Sequence, residues 1–173
     1  MRIIEVVEHN DAWLRQFEIE KQLIISRLPI NKIWVHHIGS TAVSGLAAKP
    51  IIDILIEVEE IENLDEYNEI FESIGYECKG EFGISGRRYF QKGGNQRSHH
   101  IHAFHKDSDN AMRHLAFRDY LIAHPLVAKE YAALKRNIAR NCNNDNSIYC
   151  DGKNEFVKLH EQHAVAWRKK ITA

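Results

Sequence analysis

A glycine-serine pair, Gly39-Ser40, closes a β-rich run, and Asp53 stands inside the almost continuously apolar run that follows. Glycine lets a backbone approach a ligand closely, and successive N–H groups at such a turn cradle a phosphate. The Ser40 hydroxyl can donate to the same oxygens. An aspartate on the neighbouring strand can hold a divalent metal that bridges them. Together these parts suit nucleotidyl transfer, in which a nucleophile attacks an α-phosphorus while metal and backbone dipoles absorb charge. The structural alternative is a tight turn and an ion-paired aspartate, since an unpaired buried carboxylate is costly.

His100 and His102 alternate with Ile101, so both point to one face of a strand and His99 to the other. With Asp53 they would make a two-histidine, one-carboxylate set for a divalent metal, magnesium or manganese, with zinc as the softer choice. The alternative is a pair of hydrogen-bonded strand histidines. Two histidine motifs are excluded. An H-x-H-x-H frame fails at Phe104, and His160-Glu161-Gln162-His163 is too short for a zinc-protease motif. His114, His124 and His163 read as ordinary helix residues. Arg87 and Arg88 follow Gly86 on a strand, one on each side of a sheet, where a guanidinium suits a phosphate. Their alternative is an ion pair with Glu81 or Glu77. Lys49, just before Pro50, is a further phosphate candidate, whereas Arg113, Arg118 and Asp119 read as helix-borne ion pairs.

The elements that must position these groups follow from periodicity and punctuation. Residues 3–7 predict a short strand. Asn10 or Asp11 then caps a helix carrying Trp13, Leu14, Phe17, Leu23, Ile24 and Leu28 and ending at Pro29. Residues 33–38 predict a strand running into the Gly-Ser turn, and 41–50 a loop with one helical turn. Residues 51–58 predict a strand covered on both faces, and 64–74 a helix stopped by Gly75. Three strands follow over 76–79, 87–92 and 99–105, separated by glycine turns. The remainder is helical: 107 to about 124, Pro125 to the Asn-rich stretch 141–146, and a last helix from roughly 154 to 170. The fold class is α+β, a mixed sheet flanked by helices with a helical C-terminal third, in one domain over 1–173.

Composition sets the outer limits. The chain has 173 residues, a formal net charge of −1 and 44% hydrophobic residues, so it reads neither as disordered nor as a nucleic-acid binder over its whole surface. Three cysteines with no CxxC pair point to a reducing cytoplasm. The N-terminus does not read as a secretory signal, and no apolar stretch approaches the roughly 20 residues of a membrane span.

The phrase from His36 to Ile56 resembles the signature of the GrpB family. Gly80-Glu81-Phe82-Gly83-Ile84, Gly86-Arg87-Arg88-Tyr89-Phe90, His99-His100-Ile101-His102, the run from Arg113 to Leu121 and that from Glu130 to Lys135 resemble its later motifs. Ser44 departs from it, standing where the family usually has proline. The resemblance implies a nucleotidyltransferase-like fold, a nucleotide or other phosphorylated small molecule as partner, and an association with coenzyme A metabolism through fused relatives. Active nucleotidyltransferases place a second carboxylate two residues from the first, but Ile51 and Leu55 occupy those positions here. Glu57 is roughly 13 Å along the strand from Asp53 and cannot share its ion. The implied readings are therefore metal-assisted nucleotidyl transfer or a non-catalytic binding module on the same fold.

Overall fold

The computed structural model describes residues 1–173. Helix α1 (Ala12–Arg27) leads to strand β1 (Ile33–Ile38), and a 3-10 turn at Ser40–Ala42 precedes β2 (Ile52–Val58). A 3-10 segment over Ile61–Tyr67 passes into α2 (Asn68–Ser73), followed by β3 (Tyr76–Cys78), β4 (Arg88–Lys92) and β5 (His99–His105). Three helices complete the chain: α3 (Asp109–Ala123), α4 (Pro125–Asn141) and α5 (Asn146–Ile171). The strands form one mixed sheet in the order β1-β2-β5-β4-β3, with β2 and β5 parallel and the other pairs antiparallel. This is the expected α+β arrangement. No helix is long and apolar enough to cross a membrane.

Strand alternation divides the sheet into two faces. Ile52, Ile54 and Ile56 of β2, Ile101 of β5 and Phe90 of β4 point to the side covered by α1 and α2, where they join Trp13, Phe17, Ile24 and Phe71 in the main core. Glu20 is the buried carboxylate of that side, accepting hydrogen bonds from Tyr76 Oη and Lys92 Nζ, both at 2.8 Å. On the other face, Leu55, Phe104 and Ile38 pack under Ala111 and Leu115 of α3. The rest of that face carries polar side chains beneath the C-terminal helices.

Three sequence expectations are corrected. Residues 3–7 do not form a strand, because only Val7 pairs, through two hydrogen bonds with Ala48. Ile4 turns inward against Cys142 and Tyr149 instead, with its N–H on Asn144 Oδ1. The helix expected over 64–74 is divided, with a 3-10 segment before the six-residue α2. The last helix starts eight residues earlier than expected. Asn143 and Asn144 make the turn in left-handed conformations, and Asp145 caps α5 by accepting from Ser147 N and Ile148 N. Gly152 does not break α5, because the missing side chain lets it close on Ile138 of α4, which a Cβ would meet at 3.0 Å.

Candidate functional site: a cationic cleft over a histidine-paired aspartate

The Gly-Ser turn is built where β1 ends. Ile38 is the register partner of Asp53, so Gly39 turns off directly beside the Asp53 carboxylate. Gly39 has φ +72° and ψ −172°, a combination essentially confined to glycine. A Cβ there would lie 2.6 Å from Asp53 Oδ2. The turn therefore requires glycine twice over, for its backbone and for its closeness to Asp53.

On β5, His100 is the register partner of Asp53 and His102 follows on the same face. His100 Nδ1 and His102 Nε2 approach Asp53 Oδ1 to 3.5 and 3.6 Å. The far nitrogens meet guanidiniums, His100 Nε2 with Arg97 at 3.2 Å and His102 Nδ1 with Arg87 at 3.4 Å. A guanidinium only donates, so these far nitrogens accept and the ring protons lie on the nitrogens facing Asp53. Burial lowers the His100 pKa and outweighs the pull of Asp53. Burial alone would raise the Asp53 pKa, but hydrogen bonds and charge from His100 and His102 hold it well below the usual carboxylate range. His114 of α3 packs its ring 5.1 Å from that of His102, and burial keeps it uncharged far below its ordinary pKa.

No group of three or more His, Cys, Asp or Glu side chains is arranged to hold a metal ion. The Asp53, His100 and His102 set converges as expected, but as two N–H groups facing one carboxylate, so as arranged it does not fit an ion. Glu57 is fully buried elsewhere. It contacts His36 Nε2 at 2.9 Å and accepts the Asp107 N–H at 3.0 Å.

Above Asp53 lies a cleft of about 440 Å³. Arg2, Lys49, Arg97, Lys135 and Lys153 line it, with Asp53 as the one carboxylate. Lys135 of α4 is 2% exposed and donates to Ser40 Oγ at 2.8 Å and to Ala47 O at 2.6 Å, with Nζ 4.4 Å from the Tyr131 ring centroid. Burial, aided by the charges of Lys153, Arg136 and Lys49, lowers its pKa to about 7. Burial likewise brings Lys49 to about 8. Lys49 and Lys153 both lie over the ring of Tyr149, at 4.4 and 5.1 Å.

Of the residues singled out from sequence, Gly39, Ser40, Lys49, Asp53, His100 and His102 gather at this one place. Ser40, Lys49, Asp53 and both histidines line the cleft, and Gly39 abuts Asp53. Arg87 stands behind His102, holding the carbonyls of Glu81 and Phe82. Arg88 points to the other face of the sheet, where Nε and Nη2 grip Asp65 at 2.6 and 3.0 Å, so it does not reach the cleft. Arg113 and Arg118 pair as expected, tying α3 to α5 through Glu161 and through an Arg118–Asp119–Arg168 chain.

Lys135, Arg97, Arg2, Lys153 and Tyr149 had not been singled out. Lys135 was readable: Ala128, Tyr131, Ala132 and Lys135 recur at helical spacing on the buried face of α4, and a lysine on such a face calls for a partner.

The chain matches the family model described as GrpB protein over residues 3–163. It is 46% identical over 168 residues to the UPF0157 protein YqkA of Bacillus subtilis, covering 97% of this chain and 49% of that protein. It thus spans about half the length of that relative. The crystal structure of conserved protein GrpB from Enterococcus faecalis superposes with a TM-score of 0.90 at 45% identity, covering 95% of this chain and 99% of that one. A structure of the Cid1 poly(U) polymerase matches 76% of this chain and 45% of its own at 12% identity and a TM-score of 0.48, a remote likeness that carries no inference. With its Gly-Ser turn, paired aspartate and the start of α5 inside the matched span, this chain belongs to the GrpB family.

Proposed function

We propose that the cleft binds a nucleotide or a related phosphorylated small molecule through its phosphates. The observation that carries this reading is the imbalance of charge: five Lys and Arg side chains face one carboxylate around about 440 Å³. In a partly desolvated cleft such cations attract a polyphosphate more strongly than at an open surface. Ser40 and Lys135 offer a hydroxyl and an ammonium at one end. Lys49 and Lys153 offer two more ammoniums over Tyr149.

A second reading is favoured by the position of Asp53 between two imidazoles at the cleft floor. In it, the protein transfers a nucleotidyl group to an acceptor hydroxyl. Asp53 accepts a hydrogen bond from the acceptor hydroxyl and orients it, the acceptor oxygen bonds to the α-phosphorus as its proton passes to solvent, and the bond from that phosphorus to the bridging oxygen breaks to release pyrophosphate. His100 and His102 orient the carboxylate. The step uses no metal, since the Asp53, His100 and His102 set as arranged does not fit one.

Calorimetric titration separates the readings. Nucleoside triphosphates are titrated without metal and then with Mg²⁺, Mn²⁺ or Zn²⁺, for the native protein and for Asp53→Asn. Binding by cations alone needs no metal and tightens in Asp53→Asn, because a negative charge near the phosphates is removed. Transfer demands pyrophosphate release that Asp53→Asn abolishes. Failure of every nucleotide to bind under all four conditions would remove the phosphate cleft altogether.

A further inference from the structure

The loop between β3 and β4 presents an aromatic ring in a way that packing does not explain. Phe82 is 59% exposed, yet its ring stacks on that of Tyr89 with centroids 5.1 Å apart and planes 9° from parallel. Both rings line the cleft. Phe82 adopts φ +48°, a left-handed conformation that a bulky residue rarely takes. The loop is tied down around it. The Arg87 guanidinium, itself 8% exposed, donates to Glu81 O at 3.1 Å and Phe82 O at 2.6 Å, and the Glu81 carboxylate accepts the Gly86 N–H at 2.6 Å. The Lys79 ammonium comes no closer than 5.9 Å to the ring centroid, the outer edge of cation–π attraction.

We infer that Phe82, backed by Tyr89, is a stacking platform for the planar ring system of the ligand, which makes the ligand a nucleotide and not a bare polyphosphate. The inference rests on the phosphate-cleft reading and adds to it the class of group attached to the phosphates. Its chemistry is general: every nucleobase has a π-face, and stacking on an aromatic side chain tolerates all of them. The platform thus selects for a base without choosing among bases. Arg87, expected from sequence to meet phosphate, acts here as a positioning residue that holds the platform through two carbonyls.

The test compares tripolyphosphate with the four common nucleoside triphosphates, titrated calorimetrically into the full chain and into Phe82→Ala and Phe82→Trp. The native protein is expected to bind all four nucleotides about tenfold or more tighter than tripolyphosphate, with little difference among bases. Phe82→Ala should lose that advantage while its tripolyphosphate affinity stays unchanged, and Phe82→Trp should keep it. Nucleotide affinity that is the same in Phe82→Ala as in the native chain overturns the platform but leaves the phosphate cleft standing. Tripolyphosphate binding as tightly as nucleotides does the same. If neither ligand class binds the native chain, the cleft reading fails and the platform fails with it.

Discussion

On the α1 side of the sheet, Ile52, Ile54, Ile56 and Ile101 are each at most 1% exposed and meet Phe71 and Phe90 in a packed apolar layer. On the other side, the alternate residues of the same strands are Asp53, His100 and His102, which face a cleft ringed by cations. Around the cleft, neighbouring residues of one strand thus belong to different solvent regimes, while Leu55 and Phe104 farther along that face are packed under α3. The first face contributes burial, which is roughly additive and non-directional. The second contributes a field: its ammoniums are desolvated and crowded together, which stabilises the fold little and prepares an anion site. The side that holds the protein together and the side that would bind are separated by the thickness of one sheet.

That separation can be broken or sharpened by substitution. Phe71→Ala on the apolar side should cost about 3–5 kcal/mol in denaturant unfolding, because the 0%-exposed ring leaves a cavity beside Phe90 and Tyr76. Ligand affinity of the remaining folded fraction should be unchanged. Lys135→Met should show the reverse. It removes a buried ammonium and its desolvation cost, so stability at pH 6 should shift far less than in Phe71→Ala, while tripolyphosphate affinity should fall about tenfold or more. Equal loss of stability in both variants would erase the distinction between the faces.

The pH dependence sharpens the same contrast because its two readouts move oppositely. Lys135 and Lys49 have folded pKa values of about 7 and about 8, below the value of an unfolded lysine. Between about pH 7 and pH 10 the unfolded chain therefore binds more protons than the folded one, so the stability contributed by these two groups rises with pH. Over the same range the folded cleft loses positive charge, so tripolyphosphate affinity should fall. Thermal melts and titrations at pH 6, 7, 8 and 9 measure both. Parallel trends would show that the two lysines are not the anion-binding groups. The smallest effect is expected for Arg88→Ala, which breaks a half-exposed ion pair with Asp65 on the apolar side. It should change stability by about 1 kcal/mol or less and leave affinity untouched.

What the sequence revealed follows the same line between local and non-local causes. Strand alternation placed His100 and His102 on one face, and an aspartate within an apolar run announced its need for partners; both depend only on neighbouring residues. Lys49 and Ser40 came with the Gly-Ser loop. Arg87 and Arg88 were set on opposite sides, but neither lines the cleft: Arg87 holds the Glu81 and Phe82 carbonyls, and Arg88 is drawn to Asp65, a partner 23 residues away. The strand expected over 3–7 failed for a related reason: a short apolar run becomes a strand only where a sheet edge receives it, and here Ile4 found Cys142 and Tyr149. The cations Arg2, Arg97, Lys135 and Lys153 come from four distant segments. No local pattern gathers them, though Lys135 betrayed itself by its place on an apolar helix face.

The left-handed pair Asn143-Asn144 has a consequence for the order in which the site comes into being. By turning the chain back so early, it gives α5 the length to carry Tyr149 and Lys153 over a floor laid down by residues 39–102. A nascent chain still lacking that helix has its aspartate, its histidines and its Gly-Ser turn, but no ceiling. Any ligand the cleft takes is then enclosed only once α5 lies over that floor.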